Sequence, residues 1–171
     1  MNVACAHATL LRRRQRMGAW NERVQRWALL PLRLIVGYGF CAHGMAKWTR
    51  GPAKFGNLLH TIGVPFPVPT AWLVTSIEIF GGLAMLIGAF VVIASIPLVV
   101  SMLVAMFTVH LRYGFSAVNT IGLTPSGPVF GPPGYEISLL YVAALIALAV
   151  SAPSALSVDA RVARWRVRAQ N

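Results

Sequence analysis

The sequence predicts an all-α integral membrane protein, a bundle of four transmembrane helices with a short interfacial helix in the first external loop. Composition is the first observation behind this prediction: 57% of the 171 residues are hydrophobic, 11% are charged, and the mean hydropathy is +0.67. A soluble domain has about a quarter of its residues charged and could not bury this much apolar surface at this size. Long uncharged segments, and basic residues clustered at their ends, are the other two observations.

The uncharged segments define four spans. Between Lys54 and Arg112 the only charged residue is Glu78, and residues 70–111 form one apolar stretch. As a single helix this stretch would be roughly 63 Å long, about twice the hydrocarbon thickness of a bilayer. It therefore predicts two spans joined by a turn at Gly88-Ala89-Phe90. Together with the apolar runs nearer the two ends of the chain, the predicted spans are about 27–47, 70–88, 91–111 and 135–152.

The distribution of basic residues predicts the orientation. Of the 15 Lys and Arg, six lie in the tail 1–26 and four in the tail 161–171, whereas the external segments carry four. Basic residues collect on the cytoplasmic side, so we expect both tails to be cytoplasmic, residues 27–160 to form one membrane domain, and the location to be the plasma (inner) membrane. Nucleic acid is not an expected partner, because the basic residues flank apolar runs that predict contact with the lipid bilayer.

The two external loops differ in pattern. The first, residues 48–69, has apolar residues at helical spacing, which is typical of a short helix lying in the interface. These residues are Phe55, Leu58, Leu59 and Ile62. The second, residues 113–134, holds five glycines and four prolines, so we expect irregular backbone over the outer mouth of the bundle.

Ionisable residues inside the membrane are the candidate functional residues, because a charge in hydrocarbon is costly. Glu78 is expected about 12 Å below the outer surface, which is too deep for its short side chain to reach water. It is either a neutral carboxyl or the partner of His43 or Lys47, which enter the same outer half from the first span. These three residues form the candidate catalytic cluster. An interfacial anchor is an equally open role for Lys47.

Five further residues are candidates for cofactor binding. Arg33 shares a face of the first span with Gly37, Gly44 and Lys47; it either faces a ligand or reaches the nearby cytoplasmic surface. Glycines on such a face let a neighbouring helix approach closely. The other four candidates are Gly81 and Gly82 on the face of Glu78, His110 at the end of the third span, and Glu136 at the start of the fourth.

Neither haem nor a metal ion is expected. His43 and His110 lie on two helices, but their predicted depths match only roughly and the chain offers no second pair. No metal-ligand spacing, phosphate-binding glycine loop, nucleophile elbow or flavin fingerprint is present. Whether the chain is itself an enzyme therefore stays open.

This combination of residues resembles the DoxX family of small four-span membrane proteins over roughly residues 28–160. The matching elements are Arg33-x3-Gly37, Phe40-x2-His43-Gly44-x2-Lys47, Gly63-Val64-Pro65, Glu78-x2-Gly81-Gly82 with Gly88, Glu136, and Ser157-Val158-Asp159. The chain departs from the family where an Arg often follows Gly88, because Phe90 stands there. The resemblance implies a membrane redox subunit, similar to subunits of terminal quinol oxidase and thiosulfate:quinone oxidoreductase.

Three functions are compatible with these observations. The first is a quinone-linked redox subunit with an oxidoreductase partner, in which His43, Lys47 and Glu78 bond or protonate the two quinone oxygens. The second is a non-catalytic membrane anchor or assembly partner of an oxidoreductase. The third is a small-solute transporter, for which four spans are few unless the chain forms a homo-oligomer, a possibility the sequence leaves open.

Overall fold

A computed structural model describes the backbone of residues 3–169 and the side chains of Val24 and residues 27–169. The chain is mostly helical in this range, as predicted. The helix Val91–Ala105 continues in a π-helical turn at Met106–His110 and a 3-10 turn at Leu111–Tyr113. The elements in order are α1 (Val3–Arg50), α2 (Pro52–Thr61), α3 (Pro67–Ile87), α4 (Val91–Ala105), β1 (Thr120–Thr124), β2 (Gly127–Phe130), α5 (Glu136–Val150) and α6 (Val158–Ala169).

Within residues 3–169, three segments are long and apolar enough to cross a membrane: Trp27–Arg50, Pro67–Ile87 and Val91–Tyr113. They correspond to the first three predicted spans, and many of their large apolar side chains are exposed, as lipid-facing residues are. The fourth predicted span corresponds to α5, which has 15 residues. A helix of this length covers about 22 Å, less than the hydrocarbon core of about 30 Å. The fourth span therefore stays a prediction.

The turn between α3 and α4 falls at the predicted site. Gly88 has a φ of 67°, a left-handed conformation that glycine adopts without a Cβ clash. Its N–H and that of Ala89 donate to the carbonyls of Met85 and Ala84, at 3.1 and 2.9 Å. This pattern is a Schellman motif, which ends one helix and lets the chain reverse within three residues.

Helix packing brings distant parts of the chain together. α1 packs most extensively along α3, and α4 packs along α5; α3 also contacts α4, and α1 contacts α5. A ring contact between Phe40 and Tyr141, with centroids 5.3 Å apart, joins α1 to α5. The buried apolar core is formed by Val36, Phe40, Met85, Leu98, Leu145 and Leu148.

Two segments are more ordered than the sequence predicts. The loop 113–134 contains an antiparallel hairpin, β1–β2, where irregular backbone is expected. The signal for it is Thr124-Pro125-Ser126-Gly127, since proline at the second and glycine at the fourth position are typical of a type I turn. The C-terminal tail, predicted only as basic, is helical to Ala169.

Candidate functional site

The crossing of α1 and α3 positions the candidate site. A Cβ atom on Gly82 of α3 would lie 2.7 Å from the Cys41 nitrogen and 2.8 Å from the Gly37 carbonyl oxygen, both in the backbone of α1. A Cβ on Gly44 would lie 2.9 Å from the Ile79 nitrogen. These distances are shorter than contacts allow, so the two backbones touch only because glycine stands at each point. The predicted close approach of the helices is confirmed.

Lys47 and Glu78 form an ion pair one turn beyond this crossing. The Lys47 Nζ donates a hydrogen bond to the Glu78 Oε1, and the Glu78 side chain is only 7% exposed. The Glu78 Oε2 is buried and has no hydrogen-bond partner among the described residues. A buried carboxylate oxygen without a partner costs free energy, so this oxygen is free to bind a proton or a ligand group.

The helix α2 covers the pair. The Phe55 ring lies over the Lys47 ammonium, with Nζ 4.7 Å from the ring centroid. The helix packs against α3 through its buried residues Pro52, Gly56 and Leu59. The predicted loop helix is thus confirmed, although Leu58 of its predicted apolar face is exposed. Its position at the membrane interface stays a prediction.

The third member of the predicted cluster does not join the pair. His43 is exposed, whereas the next residue, Gly44, is buried against α3. Gly81 faces α4, where a Cβ would lie 3.0 Å from a Leu98 methyl carbon. Of the predicted site residues, the structure therefore brings together Lys47 and Glu78, with Gly82 in the crossing beneath them.

His110 and Glu136 bond to the loop 113–134. The His110 Nδ1 lies 3.1 Å from the Pro133 carbonyl oxygen. The Glu136 Oε2 accepts a hydrogen bond of 2.8 Å from the Ala117 N–H, and the Glu136 N–H donates to the Phe115 carbonyl. These contacts tie the loop to His110 and to the start of α5, and they use one ring nitrogen of His110 and one carboxylate oxygen of Glu136.

Arg33 lies fourteen residues before Lys47 in α1, in a second polar centre, and is itself only 2% exposed. Its Nη1 donates to the Ser154 Oγ at 2.6 Å, and its Nη2 donates to the Leu156 carbonyl at 3.2 Å. Weaker contacts reach the carbonyls of Ala155 and Leu86. The guanidinium therefore joins α1 to α3 and to the segment after α5, and it does not reach water.

The segment 154–159 is a structural element that residue patterns alone did not predict. The Asp159 carboxylate accepts hydrogen bonds from the N–H groups of Phe90 and Val91, at 2.9 and 3.0 Å, and so caps α4. In the sequence, this contact is marked only by Ser157-Val158-Asp159, one of the elements on which the resemblance to the DoxX family rests. A cavity of about 30 Å³ beside Arg33 and Ser154 has room for roughly one water molecule and none for an organic substrate.

Comparison with known proteins identifies a family for the segment that carries the site. Residues 28–111 match the model of the DoxX family, which confirms the resemblance over this range. The matched range contains the α1–α3 crossing and both members of the ion pair; Glu136 and Asp159 lie beyond it. No curated protein and no solved structure gives a significant match to the chain.

Proposed function

We propose that this membrane protein, whose residues 28–111 form a DoxX domain, is the membrane subunit of a quinone-linked redox complex. In this function Glu78 accepts and releases the proton that accompanies electron transfer to or from quinone. The observation that supports the proposal is the buried Glu78 Oε2, which has no partner within the described part of the chain although Oε1 is bound to Lys47.

The chemistry of the pair suits this role. A carboxylate oxygen in an apolar interior is a good proton acceptor when nothing else satisfies its lone pairs. Lys47 holds the carboxyl group in place through Oε1, so a proton can bind at Oε2 and neutralise the carboxylate while the hydrogen bond from Lys47 to Oε1 stays in place. Gly44 and Gly82 fix the backbones on either side, and the geometry of the pair is therefore set by rigid helices.

The pair also fits a quinone head group. Quinone, when bound, supplies a two-electron acceptor with two carbonyl oxygens that need hydrogen-bond donors. The Lys47 ammonium has three N–H groups, of which one is used on Glu78, and the Phe55 ring beside it provides an apolar aromatic surface. In the proposed complex an oxidoreductase partner subunit supplies the two electrons, and Glu78 passes on one of the two protons that reduction of a quinone to a quinol consumes.

Substitution Glu78→Gln in the native complex tests this function. Glutamine keeps an oxygen that can accept from Lys47 but cannot carry a proton. We expect quinone-linked turnover to fall at least about 100-fold, the lower range for losing a general acid–base group, while the complex still assembles. Glu136→Gln is the matched control, because its carboxylate is bound to a loop N–H, and it should keep full turnover.

A double variant distinguishes loss of the proton role from misfolding of the protein. Removing one member of a buried ion pair leaves the other charge uncompensated, which can unfold a protein, whereas replacing both members by apolar residues is often neutral. Lys47→Met/Glu78→Met should therefore fold and lose turnover. Full turnover in either this variant or Glu78→Gln would exclude the proposed proton role.

A non-catalytic anchor is the second candidate function, and the bonding of Arg33 and Glu136 favours it. Both were predicted to bind a cofactor, yet each is bonded to the protein's own backbone or hydroxyl groups. If the chain is only an anchor, the Lys47–Glu78 pair is structural. Glu78→Gln would then lower the thermal stability and the yield of the complex but leave the turnover of each assembled complex unchanged.

We also propose the topology: the protein lies in the inner membrane, crosses it four times and has both termini in the cytoplasm. The contacts of α5 with α4 and α1 support a fourth span, since they place α5 alongside the three apolar helices. The arginines of α6 and the α3–α4 turn lie at the Arg33 end of the first predicted span, and this is the end rich in basic residues. The positive-inside rule puts that end in the cytoplasm.

A further inference from the structure

The helix α6 has an exposed apolar face between flanking arginines. Val158, Val162 and Trp165 lie at helical spacing on one face, and Trp165 is 71% exposed. Arg161 and Arg168 are on one side of this face and Arg166 is on the other, as the spacing of 3.6 residues per turn requires. Nothing in the described part of the chain packs on this face, so a large apolar side chain stands in the open beside three cations.

Contacts to the α3–α4 turn fix where α6 begins. The Asp159 N–H donates to the Gly88 carbonyl at 3.0 Å, and its carboxylate accepts from the N–H of Phe90 and of Val91. Because α3 and α4 are both candidate spans, the turn that joins them lies where they leave the hydrocarbon. The first turn of α6 is therefore held at the membrane surface.

The charge of α6 is almost wholly positive. Asp159 is the only acidic residue after Glu136, and its carboxylate is already used to cap α4. The arginines at 161, 164, 166 and 168 have no carboxylate partner within the described residues. A helix with an apolar face that contains Trp and with basic flanks is suited to lie in the interface of a bilayer rich in anionic lipid.

We propose that α6 is a membrane-surface helix that binds the head groups of anionic phospholipids beside the α3–α4 turn. The apolar face enters the interface with Trp165 at the level of the head groups, and the flanking arginines bond to lipid phosphates. The complementary charge and the position of the first turn at the surface select lipid as the occupant. This inference does not depend on the redox function proposed above.

The test uses the full-length protein in lipid nanodiscs, either of phosphatidylcholine alone or with phosphatidylglycerol added. Hydrogen exchange of the α6 amides should be about tenfold slower or more in the anionic discs, because each basic residue near such a surface strengthens its attraction to anionic lipid. High salt should remove most of the difference, since it screens surface charges.

Matched variants identify the residues responsible. Arg161→Gln/Arg166→Gln/Arg168→Gln should abolish the lipid dependence, and glutamine keeps a helix propensity close to that of arginine. Removing three basic residues at the other end of the protein, through the control Arg50→Gln/Lys54→Gln/Arg112→Gln, should leave it intact. Equal exchange in both kinds of disc, or a lipid dependence that survives the first variant, would overturn the proposal. Protection that appears only when a partner protein is added would assign the surface to that protein and also overturn it.

Discussion

Substitution Gly82→Ala tests whether the α1–α3 crossing holds the candidate site together. The added methyl group would lie 2.7 Å from the Cys41 nitrogen and 2.8 Å from the Gly37 carbonyl oxygen. Both atoms belong to the backbone of α1, so no change of rotamer can relieve the clash. The two helices have to separate by some tenths of an ångström along the stretch that leads to Lys47 and Glu78.

The expected cost follows from this geometry. Overpacking of a close-packed interior costs about 1–3 kcal/mol, and we expect a value near 2 kcal/mol because the obstructing atoms are backbone. Gly81→Ala is the matched control: it adds the same methyl group to the same helix, with the same gain in helix propensity. Its nearest contact is the end of the Leu98 side chain, at 3.0 Å, which can shift. The control should cost less than about 1 kcal/mol.

Thermal unfolding in detergent measures the difference. For a chain of this length 1 kcal/mol corresponds to about 2–4 °C in Tm, so Gly82→Ala should unfold roughly 4–8 °C lower than the wild type. In a Cys5→Ser background, labelling of the Cys41 thiol gives an independent readout, because its Sγ lies 2.8 Å from the position of the added methyl group. Labelling should be faster in Gly82→Ala than in Gly81→Ala. Equal Tm values and equal labelling rates for the two variants would refute the role assigned to the crossing.

Three further predictions concern the cap of α4, the loop contact of Glu136 and the topology in the membrane. Asp159→Ala removes the cap of α4 and should lower the free energy of unfolding by about 1–2 kcal/mol. Thermal unfolding measures this loss, and Asp159→Asn is the control because it retains one acceptor. Glu136→Ala should speed hydrogen exchange of the Ala117 amide by about fivefold or more, whereas unchanged exchange would contradict the loop contact. Reporter fusions at residue 125 and at Asn171 should report opposite sides of the membrane; signals from the same side would exclude the proposed four-span topology.

Hydrophobic pattern and depth in the membrane predicted those features of the fold that depend only on distance along a helix. The length of the apolar stretch 70–111 required a turn, and glycine placed it at Gly88, where the structure has it. Depth in the membrane predicted that Lys47 and Glu78 enter the same half of the bundle, within reach of a long side chain, and the structure pairs them. Both inferences use distances along a helix axis, which the rise per residue fixes without knowledge of the neighbours.

The direction of a side chain around the helix was harder to predict. His43 precedes Gly44 by one residue, which turns it about 100° away from the point where α1 touches α3. Periodicity identifies a stripe, but the centre of that stripe depends on which helix packs against it. Arg33 shows the same difficulty at longer range, because its partners Ser154 and Leu156 lie more than 120 residues along the chain.

Arg33 and Lys47, both in the first predicted span, have different surroundings, and this difference places the proposed chemistry at the Lys47 end of that span. Arg33 and Lys47 are fourteen residues apart, about 21 Å along the axis. Arg33 is bonded to oxygen atoms of two other chain segments, α3 and the segment after α5, so it clamps them to α1. Its Nη atoms make these bonds, and its buried Nε has no hydrogen-bond partner among the described residues. Lys47 has one carboxylate partner, and that carboxylate keeps a buried oxygen without a hydrogen bond. An unsatisfied buried oxygen costs about 1–3 kcal/mol, and a fold can retain it only if contacts elsewhere offset that cost. The Arg33 clamp, the Asp159 cap and the glycine crossing are such contacts, and they leave the Glu78 oxygen available for a proton.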